Sequence, residues 1–267
     1  MEEHTVDNTI HATAPFYDLD LRILAEDNLR PGRLDDVPFY LARAAHCAGP
    51  ILEMACGTGR VTIPLAEAAQ EVWAFELSAD MLREFHAKLA RLPVEVQQRI
   101  HLMQADMCAF DLARHFALIV APGVSFQALI TPSQQRACLA CVRAHLAPGG
   151  QFILHLRHAP PVQASWVRPE TLNWEKRDPQ TGHLVRCTDA VPRVDVAQQL
   201  FYYERIFYVQ CPDGTEKRLM ESHVFRAFTV EEVRQLLATA GFTIREELGN
   251  FDGRAIGTGP ELLFVCA

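Results

Sequence analysis

An apolar segment, two closely spaced glycines and the start of a helix follow one another at residues 51–66, which read ILEMACGTGRVTIPLA. Gly57 and Gly59 allow the backbone to adopt positive φ and to approach a ligand closely. Two acids flank this loop, Glu53 within its strand and Glu76 at the end of the next one. Open α/β sheets bind ligands at the carboxyl ends of their strands, where carboxylates accept hydrogen bonds from the ligand. The segment therefore predicts a nucleotide-like cofactor at one edge of a sheet.

The first half of the chain alternates short apolar strands with helices. The predicted strands are 50–54, 71–76, 100–106, 116–121 and 151–156. The predicted helices are about 58–69, 79–92 and 132–146, and the last two begin at an N-cap serine (Ser78) and at a capping box (Thr131 with Gln134). This alternation is typical of a parallel sheet that is covered on both faces.

The second half has a different pattern. Residues 166–228 are rich in aromatic residues and in Val and Arg, with turn sequences DPQTGH and CPDGT, and they predict an antiparallel meander. A helix follows at 229–241, with a capping box of Thr229 and Glu232, and the last two strands are predicted at 242–248 and 261–267. We therefore expect a single domain over 1–267, with cap helices in 1–45 and an antiparallel β insertion in 159–228.

Charge and composition exclude several classes of function. The net charge is −8 and no dense Lys/Arg run is present, which disfavours a nucleic-acid partner. No apolar run reaches the ~20 residues of a membrane span, and the acidic N-terminal segment is unlike a signal peptide, so we expect no membrane partner and a cytoplasmic location. Of the eight cysteines only Cys138 and Cys141 have metal-like spacing, and no second pair completes a site, so we expect no metal.

The glycine loop does not match the common nucleotide motifs. A dinucleotide fingerprint that starts at Gly57 would need its third glycine at Thr62, and one that starts at Ala55 would need it at Arg60. The Gly-Lys-Ser/Thr of a P-loop is also absent. Glu76 suits a pair of ribose hydroxyls and Glu53 an ammonium group or a water molecule. A cofactor with an amino-acid part, a ribose and a positive charge fits these groups.

The order of the motifs resembles a known family. LEMACGTGR (52–60) resembles the first motif of class I S-adenosylmethionine-dependent methyltransferases, with Ala55 in place of the usual first glycine. FELSADML (75–82) and QADMCAF (104–110) resemble the second and third motifs, and 116–129 and 145–154 the fourth and fifth strands. The resemblance implies a Rossmann-like class I methyltransferase fold: a seven-stranded, mostly parallel sheet with helices on both faces. It also implies S-adenosyl-L-methionine as cofactor and S-adenosyl-L-homocysteine as product.

The resemblance also implies roles for individual residues. Glu76 would bind the ribose, Asp106 the adenine amino group, and Met81 and Met107 would lie against the adenine. An N-terminal segment with a tyrosine would close over the cofactor. The cofactor-binding candidates are Tyr17, Tyr40, Glu53, Ala55, Cys56, Gly57, Gly59, Arg60, Glu76, Leu77, Met81, Ala105, Asp106, Met107 and Ala121. For Glu76 we expect that its removal weakens cofactor binding and leaves the stability of the ligand-free protein unchanged.

The candidate residues for the methyl acceptor lie around the fifth strand and the meander. A general base is needed only if the nucleophile starts protonated. The candidate bases are His155, His158 and His223, and strand alternation puts His155 on the face of Arg157 and opposite His158. The candidate acceptor-binding residues are Ser125, Gln127, Arg157, Trp166 and Arg226. The alternative for Arg157 and Arg226 is an ion pair with Glu or Asp of the fold, and for each histidine it is a structural hydrogen bond.

The sequence leaves the acceptor and the role of the meander open. The expected activity is methyl transfer to N or O of a small molecule. The alternatives are a non-catalytic protein that binds the same cofactor and an NAD-dependent dehydrogenase. Some aminosugar N-methyltransferases resemble the segment 122–129 but carry a histidine at the position of Ala128. The aromatic strands either pack on the sheet, roof the acceptor pocket or form a homodimer contact, and the first aromatic residues to test are Trp166, Trp174, Tyr203 and Phe207.

Overall fold

The computed structural model describes residues 13–26, 36–68, 70–179 and 181–267. The N-terminal cap predicted for 1–45 is therefore seen in part, and its residues 1–12 and 27–35 lie outside the described chain. Seven helices occur in the described part: α1 Ala14–Glu26, α2 Asp36–Ala44, α3 Thr62–Glu67, α4 Ala79–Leu89, α5 Val94–Gln97, α6 Pro132–His145 and α7 Val230–Thr239. None of the described helices is long and apolar enough to cross a membrane.

The main sheet has seven strands in the order β10-β11-β5-β4-β1-β2-β3. The strands are β1 Ile51–Met54, β2 Val72–Glu76, β3 Ile100–Gln104, β4 Phe116–Ala121, β5 Leu146–Arg157, β10 Ile244–Leu248 and β11 Glu261–Cys266. β11 runs antiparallel to both β10 and β5, and the other four pairings of the sheet are parallel. The chain order reverses between β1 and β4, and this switch point is where open α/β sheets bind ligands. The predicted fold class is confirmed.

Apolar side chains of alternate strand residues form a core on each face of this sheet. Leu52, Ile119 and Phe152 pack with α6 and α7, whereas Ile51 and Leu118 on the other face pack with α2, α3 and α4. Each of these five strand residues is fully buried. The strands are apolar on both faces because helices cover both sides, as the sequence pattern predicts.

Several element boundaries differ from the prediction, and the predicted caps are confirmed. The first helix after β1 begins at Thr62 and not at Thr58, because residues 57–61 form the turn of the glycine loop. The fifth strand begins at Leu146 and so includes the PGG segment. Ser78 caps α4, and capping boxes begin α6 at Thr131 and α7 at Thr229.

The insertion folds into a second sheet of four antiparallel strands. These are β6 Arg168–Arg177, β7 Leu184–Asp195, β8 Leu200–Gln210 and β9 Glu216–Arg226, in the order β6-β7-β8-β9. The predicted meander is confirmed. We call the face of this sheet that carries Trp174, Cys187 and Phe207 the inner face.

Helix α1 covers part of the inner face. Its residues Leu19 and Ile23 pack with Trp174 and Phe207, and Trp174 Nε1 donates to Asp20 Oδ1 at 2.7 Å. Trp174 and Phe207 are buried by this helix of their own chain. The aromatic strands thus hold α1, an arrangement that none of the three sequence-based alternatives described. Trp174 and Phe207 are therefore poor candidates for a pocket wall.

Polar contacts join α1 to both sheets. Asp20 pairs with Arg205 of β8, whose Nη1 donates to Tyr203 Oη at 2.6 Å. Tyr203 Oη in turn donates to Asp189 Oδ2 at 3.0 Å. On the other side of α1, Thr58 of the glycine loop donates to Asp18 at 2.7 Å. Tyr203 therefore belongs to a charged network that holds α1, so it is also a poor candidate for a pocket wall.

Candidate cofactor and acceptor site

The glycine loop leaves β1 at the switch point and needs its two glycines for different reasons. Gly57 and Gly59 have φ of 56° and 88°, and Ala55 also has positive φ at 52°. A Cβ added to Gly59 would lie 2.5 Å from the buried ring of Phe85, whereas one added to Gly57 would meet no atom within 4 Å. The backbone N–H of Cys56 donates to Phe75 O at 3.0 Å and ties the loop to β2. Gly59 allows close packing, and Gly57 borders open space.

Glu76 holds the end of β2 against this loop. Its Oε2 accepts from the N–H of Gly57 at 3.0 Å, and its Oε1 accepts from those of Leu77 at 2.8 Å and Ser78 at 2.9 Å. The side chain is buried but lies at the carboxyl edge of the sheet, where a ribose could donate to its remaining lone pairs. This geometry argues against our expectation that the ligand-free fold does not need Glu76, because its removal would leave three N–H groups without their acceptor.

The next residues along this edge differ in exposure. Asp106 is exposed, and its Oδ1 accepts from the N–H of Cys108 at 2.8 Å. Ala105 N–H donates to Glu76 O at 3.2 Å, which places the third motif beside the second. Leu77 is 40% exposed, whereas Met81 of α4 is buried. Asp106 and Leu77 are therefore available to an adenine, whereas Met81 is enclosed by the protein. Met107 lies half-buried against the core.

Glu53 is buried at the base of the loop. It accepts a hydrogen bond from Thr62 Oγ1, and burial raises its pKa to about 8 despite that hydrogen bond and the charge of Arg60. Arg60 forms a bidentate pair with Asp36 of α2, at 2.5 and 2.7 Å. Burial lowers the pKa of Arg60, but the hydrogen bonds and charge of Asp36 raise it above its ordinary value. Arg60 is thus always charged and is held within the protein.

The pH dependence of stability should report the burial of Glu53. In the unfolded chain this carboxyl titrates near its ordinary 4.5, and in the folded protein near 8, so the folded state retains a proton between these values. Stability therefore falls as the pH rises from about 4.5 to about 8. Glu53→Gln keeps an acceptor for Thr62. We expect its free energy of unfolding, measured with urea, to change less with pH across this window than that of wild type. The exposed Glu67→Gln is the control, and an equal slope in Glu53→Gln and wild type would contradict the assignment.

Among the described residues near this loop, Tyr40 is the one whose hydroxyl is buried without a hydrogen-bond partner. Burial, and then the charge of Asp36, raise the pKa of Tyr40 well above its ordinary value, so the hydroxyl stays protonated and can donate. Glu53 and Glu261 also lie close enough to contribute to this shift. Tyr17 of α1 lies near Arg60. A buried donor without an acceptor is costly, so this hydroxyl is suited to a bound group such as the carboxylate of an amino acid.

The residues present fit the cofactor that the sequence resemblance implies. Open space lies beside Gly57 and beside Gly123, where an added Cβ would meet no atom within 4 Å. Glu76 and Asp106 could accept from a ribose and an adenine amino group, and the Tyr40 hydroxyl could donate to a carboxylate. The loop residues Ala55 and Cys56, together with Ala121 at the end of β4, line the same edge of the sheet.

Substituting each loop glycine with alanine should separate the close packing at Gly59 from the open space at Gly57. Gly59→Ala combines a left-handed backbone with overlap on Phe85 and should lower the free energy of unfolding by about 2–4 kcal/mol. Gly57→Ala should cost only about 1–2 kcal/mol of stability, for the backbone alone. Its methyl group enters the open space, so it should weaken S-adenosylmethionine binding by about tenfold or more. Urea unfolding and calorimetry measure both, and equal stability losses would contradict the distinction.

The turn after β4 forms the other wall of the site. Gly123 and Val124 have φ of 67° and 62°, and a 3₁₀ turn at Ser125–Ala128 follows. Ser125 Oγ donates to Pro122 O at 3.1 Å. Gln127 is buried, its Nε2 donates to Arg226 O at 2.9 Å, and its Oε1 accepts from Arg157 N–H at 2.8 Å. The expectation that Gln127 orients the acceptor is wrong, because both ends of its amide are used to join β5, β9 and the turn.

The two arginines proposed for the acceptor pair with acids of the fold. Arg226 Nη2 donates to Glu232 at 2.7 Å, and its guanidinium lies over the ring of Phe228. Arg157 Nη2 donates to Glu261 at 3.2 Å, and its side chain is 39% exposed. Arg157 therefore has donors that still face solvent at the site, while Arg226 is largely enclosed.

The three candidate histidines lie in different environments. His155 is buried and contacts both Gly123 N and Glu261. It shares Glu261 with Arg157, which confirms the predicted common face. His158 is half-buried, and its Nδ1 lies 3.0 Å from Gly259 O, to which it donates. His223 lies on the inner face, with Nε2 3.3 Å from Glu221 Oε1.

Aromatic rings continue along the inner face beside His223. The ring centroids of His223 and Phe225 are 5.6 Å apart, those of Phe225 and Phe201 5.7 Å, and those of Phe201 and Trp166 5.6 Å. Gln127 joins this end of β9 to the turn after β4. The inner face thus carries a histidine–carboxylate pair and an aromatic wall, and the strand that holds the pair, β9, is joined at its end to the turn after β4.

Sequence reasoning did not identify several residues of the site. Asp36, Asp18 and Glu261 are single acids without a local motif, and only the assembled fold brings them to Arg60, Thr58 and His155. Glu221 had a detectable signal, because alternation within a strand puts it on the same face as His223. No group of three or more His, Cys, Asp or Glu residues that could hold a metal occurs among residues that the structure describes.

Comparisons with known proteins agree with this geometry. A family model described as a methyltransferase domain matches residues 51–150. The chain is 28% identical over 227 residues to dTDP-3-amino-3,6-dideoxy-alpha-D-glucopyranose N,N-dimethyltransferase of Streptomyces fradiae, covering 84% of this chain and 82% of the relative. It is also 28% identical over 214 residues to dTDP-3-amino-3,4,6-trideoxy-alpha-D-glucopyranose N,N-dimethyltransferase of Streptomyces venezuelae, covering 79% and 83%.

A solved structure with bound cofactor is also similar. It is the glycopeptide N-methyltransferase MtfA complexed with S-adenosyl-L-methionine, with a TM-score of 0.57, 25% identity and coverage of 89% of this chain and 95% of that one. The fold and the geometry of the site fit the cofactor of this neighbour, S-adenosyl-L-methionine. The chain is similar to S-adenosylmethionine-dependent methyltransferases over its main sheet and its glycine loop.

Proposed function

We propose that this enzyme methylates an amine nitrogen of a small sugar-bearing acceptor. The two curated relatives are named for N,N-dimethylation of dTDP-linked amino sugars, and the similar solved structure for N-methylation of a glycopeptide. These names favour nitrogen over oxygen as the acceptor atom. Ala128 replaces the histidine that some aminosugar enzymes carry, so this chain must supply any base from another position.

For the cofactor we propose roles that follow the geometry. Glu76 accepts from the ribose hydroxyls, Asp106 from the adenine amino group, and Leu77 covers the adenine. Tyr40 donates to the carboxylate at the amino-acid end, near Glu53. S-adenosylmethionine supplies a methyl group that is already activated by its sulfonium. The protein therefore contributes mainly by positioning the acceptor nitrogen in line with that methyl group and by excluding water.

The observation that carries the proposal is the His223–Glu221 pair at the end of the aromatic wall. A protonated amine has no lone pair for attack and must lose a proton first. His223 lies on the inner face with its ring 12% exposed, and Glu221 lies 3.3 Å away and would stabilise the imidazolium that forms. Thr13 donates to the second oxygen of Glu221 and fixes its orientation. We propose His223 as the base, and Trp166, Phe201 and Phe225 as the wall against which the acceptor ring packs.

The acceptor test compares an amine with the matching alcohol. Purified protein is incubated with S-adenosylmethionine and either dTDP-3-amino-3,6-dideoxyglucose or the analogue with a 3-hydroxyl group. We expect S-adenosylhomocysteine release and added methyl groups, by mass spectrometry, with the amine alone. Methylation of the alcohol would contradict the choice of nitrogen. Cofactor binding without turnover across a wider panel of amines would support the non-catalytic alternative.

A homodimer through the insertion and a cytoplasmic location are further parts of the proposal. The face of the four-stranded sheet opposite to the inner face carries Leu172 and Met220 on its two edge strands, 61% and 40% exposed. If this face forms the contact, Leu172→Ser with Met220→Ser should convert a dimer to a monomer in sedimentation experiments. A wild-type monomer would contradict the dimer. Fractionation of producing cells tests the location.

A further inference from the structure

The turn after β4 is strained at one residue. Gly123 and Val124 both lie in the left-handed region, which glycine adopts freely and a β-branched residue rarely does. Such conformations persist where surrounding contacts hold the backbone, and they cluster at functional sites. The turn borders the open space of the site, since a Cβ added to Gly123 would meet no atom within 4 Å. Contacts that hold this turn therefore control one wall of the transfer site.

His155 makes a contact that holds the turn directly. The backbone N–H of Gly123 donates to Nδ1 of His155 at 3.2 Å, and Nε2 of His155 lies 3.0 Å from Glu261 Oε2. The backbone N–H can only donate, so Nδ1 must be the unprotonated nitrogen of the ring. Nε2 then carries the proton and donates it to Glu261. Both ring nitrogens are thus occupied by protein groups.

Burial separates this histidine from the acceptor. His155 is 4% exposed and Glu261 1% exposed, and the ring of Phe251 packs edge-on against that of His155 at 5.0 Å between centroids. A base must reach the proton that it removes. His155 has neither a free nitrogen nor access to the open space.

Glu261 also secures the far end of the turn. Its Oε1 accepts from Arg157 Nη2 at 3.2 Å, and the backbone N–H of Arg157 donates to Gln127 Oε1 at 2.8 Å. Gln127 lies in the 3₁₀ turn that follows Val124. The buried carboxylate of Glu261 on β11 therefore supports the turn at two points. It supports Gly123 through His155, and it holds the side chain of Arg157, whose backbone anchors Gln127.

We infer that His155 and Glu261 form a positioning pair that holds the strained Gly123–Val124 turn in the shape needed for methyl transfer. The inference rests on the proposed function, since the turn is a wall of the same site. His155 then affects the rate through the backbone of the turn, and it removes no proton from the acceptor.

Two substitutions of His155 separate the two ring nitrogens. Asparagine places an amide oxygen near the position of Nδ1 and keeps an acceptor for Gly123. Glutamine reaches the position of Nε2, keeps the donor to Glu261 and leaves Gly123 without an acceptor. We expect His155→Gln to lower kcat by about 10²-fold, the scale of a small misplacement in an active site, and His155→Asn by less than about fivefold. The Kd of S-adenosylmethionine should stay within about threefold in both.

Amide hydrogen exchange tests the His155–Glu261 pair without the need for a methyl acceptor. The Gly123 N–H should be protected in wild type and in His155→Asn, and should exchange at least about tenfold faster in His155→Gln, because a free amide exchanges from the native state. If the exchange follows this order but wild type methylates no amine, the proposed function fails and the pair stands. Equal exchange in all three proteins would overturn the inference.

The opposite kinetic pattern would also overturn the inference. If His155→Asn loses as much kcat as His155→Gln while its Gly123 N–H stays protected, the histidine acts by proton transfer. Glu261→Gln serves if His155→Gln does not fold, as checked by thermal unfolding. This variant keeps an acceptor for Nε2 but weakens both of its contacts, so we expect a smaller loss of kcat with an unchanged Kd for S-adenosylmethionine. An unchanged kcat and an unchanged Gly123 exchange rate in Glu261→Gln would count against the pair.

Discussion

His223→Ala should lower kcat for amine methylation by about 10²–10⁴-fold, the usual contribution of a general base. The Kd of S-adenosylmethionine should stay within about threefold, because His223 belongs to the four-stranded sheet, whereas Glu76, which we propose binds the ribose, belongs to the main sheet. The reason for the loss is that an ammonium group cannot attack until its proton is removed. Glu221 lies 3.3 Å from the ring, so Glu221→Gln should show a smaller loss of the same kind.

The pH dependence makes the His223 test specific. Above the pKa of the acceptor amine, the acceptor is already neutral in solution and needs no base, so the difference between wild type and His223→Ala should shrink. A loss of packing or of acceptor binding would persist at every pH. His183→Ala, in the hairpin between β6 and β7 of the same sheet, is the control. Full activity of His223→Ala would exclude it as the base and would direct the search to His158.

Glu76→Ala should lose about 2–4 kcal/mol of binding free energy for S-adenosylmethionine, because hydrogen bonds to a charged group contribute about 1.5–3 kcal/mol each and do not simply add. The structure adds a second effect. Glu76 accepts from the N–H groups of Gly57, Leu77 and Ser78, so its removal should also lower the free energy of unfolding of the ligand-free protein by about 1–3 kcal/mol.

Two comparison variants separate binding from stability at Glu76. Glu76→Gln keeps one carbonyl oxygen for the backbone donors, so it should recover part of the stability while the affinity stays low. Glu71→Ala removes the same side chain just before the other end of β2, where it pairs with Arg114, and should leave the affinity unchanged. Calorimetry and urea unfolding measure both quantities. An unaltered cofactor affinity in Glu76→Ala would rule out the ribose contact.

Local patterns in the sequence are sufficient to predict the main elements of this protein. The capping boxes at Thr131 and Thr229, the N-cap at Ser78 and the turn at Gly57 and Gly59 depend on residues that lie within a few positions of one another. Hydrophobic periodicity likewise places the strands and the two-sided core, because burial on both faces requires continuous apolar strands. The order of these motifs along the chain also indicates the methyltransferase fold and its cofactor.

The roles of many polar side chains were decided by tertiary structure. Gln127 has the polarity expected of an acceptor-binding residue, yet the fold places it between Arg157 and Arg226 and uses both ends of its amide. Trp174 and Phe207 have the character of a pocket wall, yet α1 covers them. The neighbouring sequence does not predict which groups these side chains contact, because those groups belong to distant segments of the chain.

The buried pairs show the physical reason most clearly. His155 and Glu261 are 106 residues apart, and Arg60 and Asp36 are 24 apart. A charge or an imidazole can be buried only where a partner compensates for lost hydration, and the partner is supplied by whichever element packs against it. The sequence by itself therefore determined the sheet, the helices, the glycine loop and the class of cofactor. Only the tertiary structure decided which polar groups serve the fold and which remain to face the acceptor.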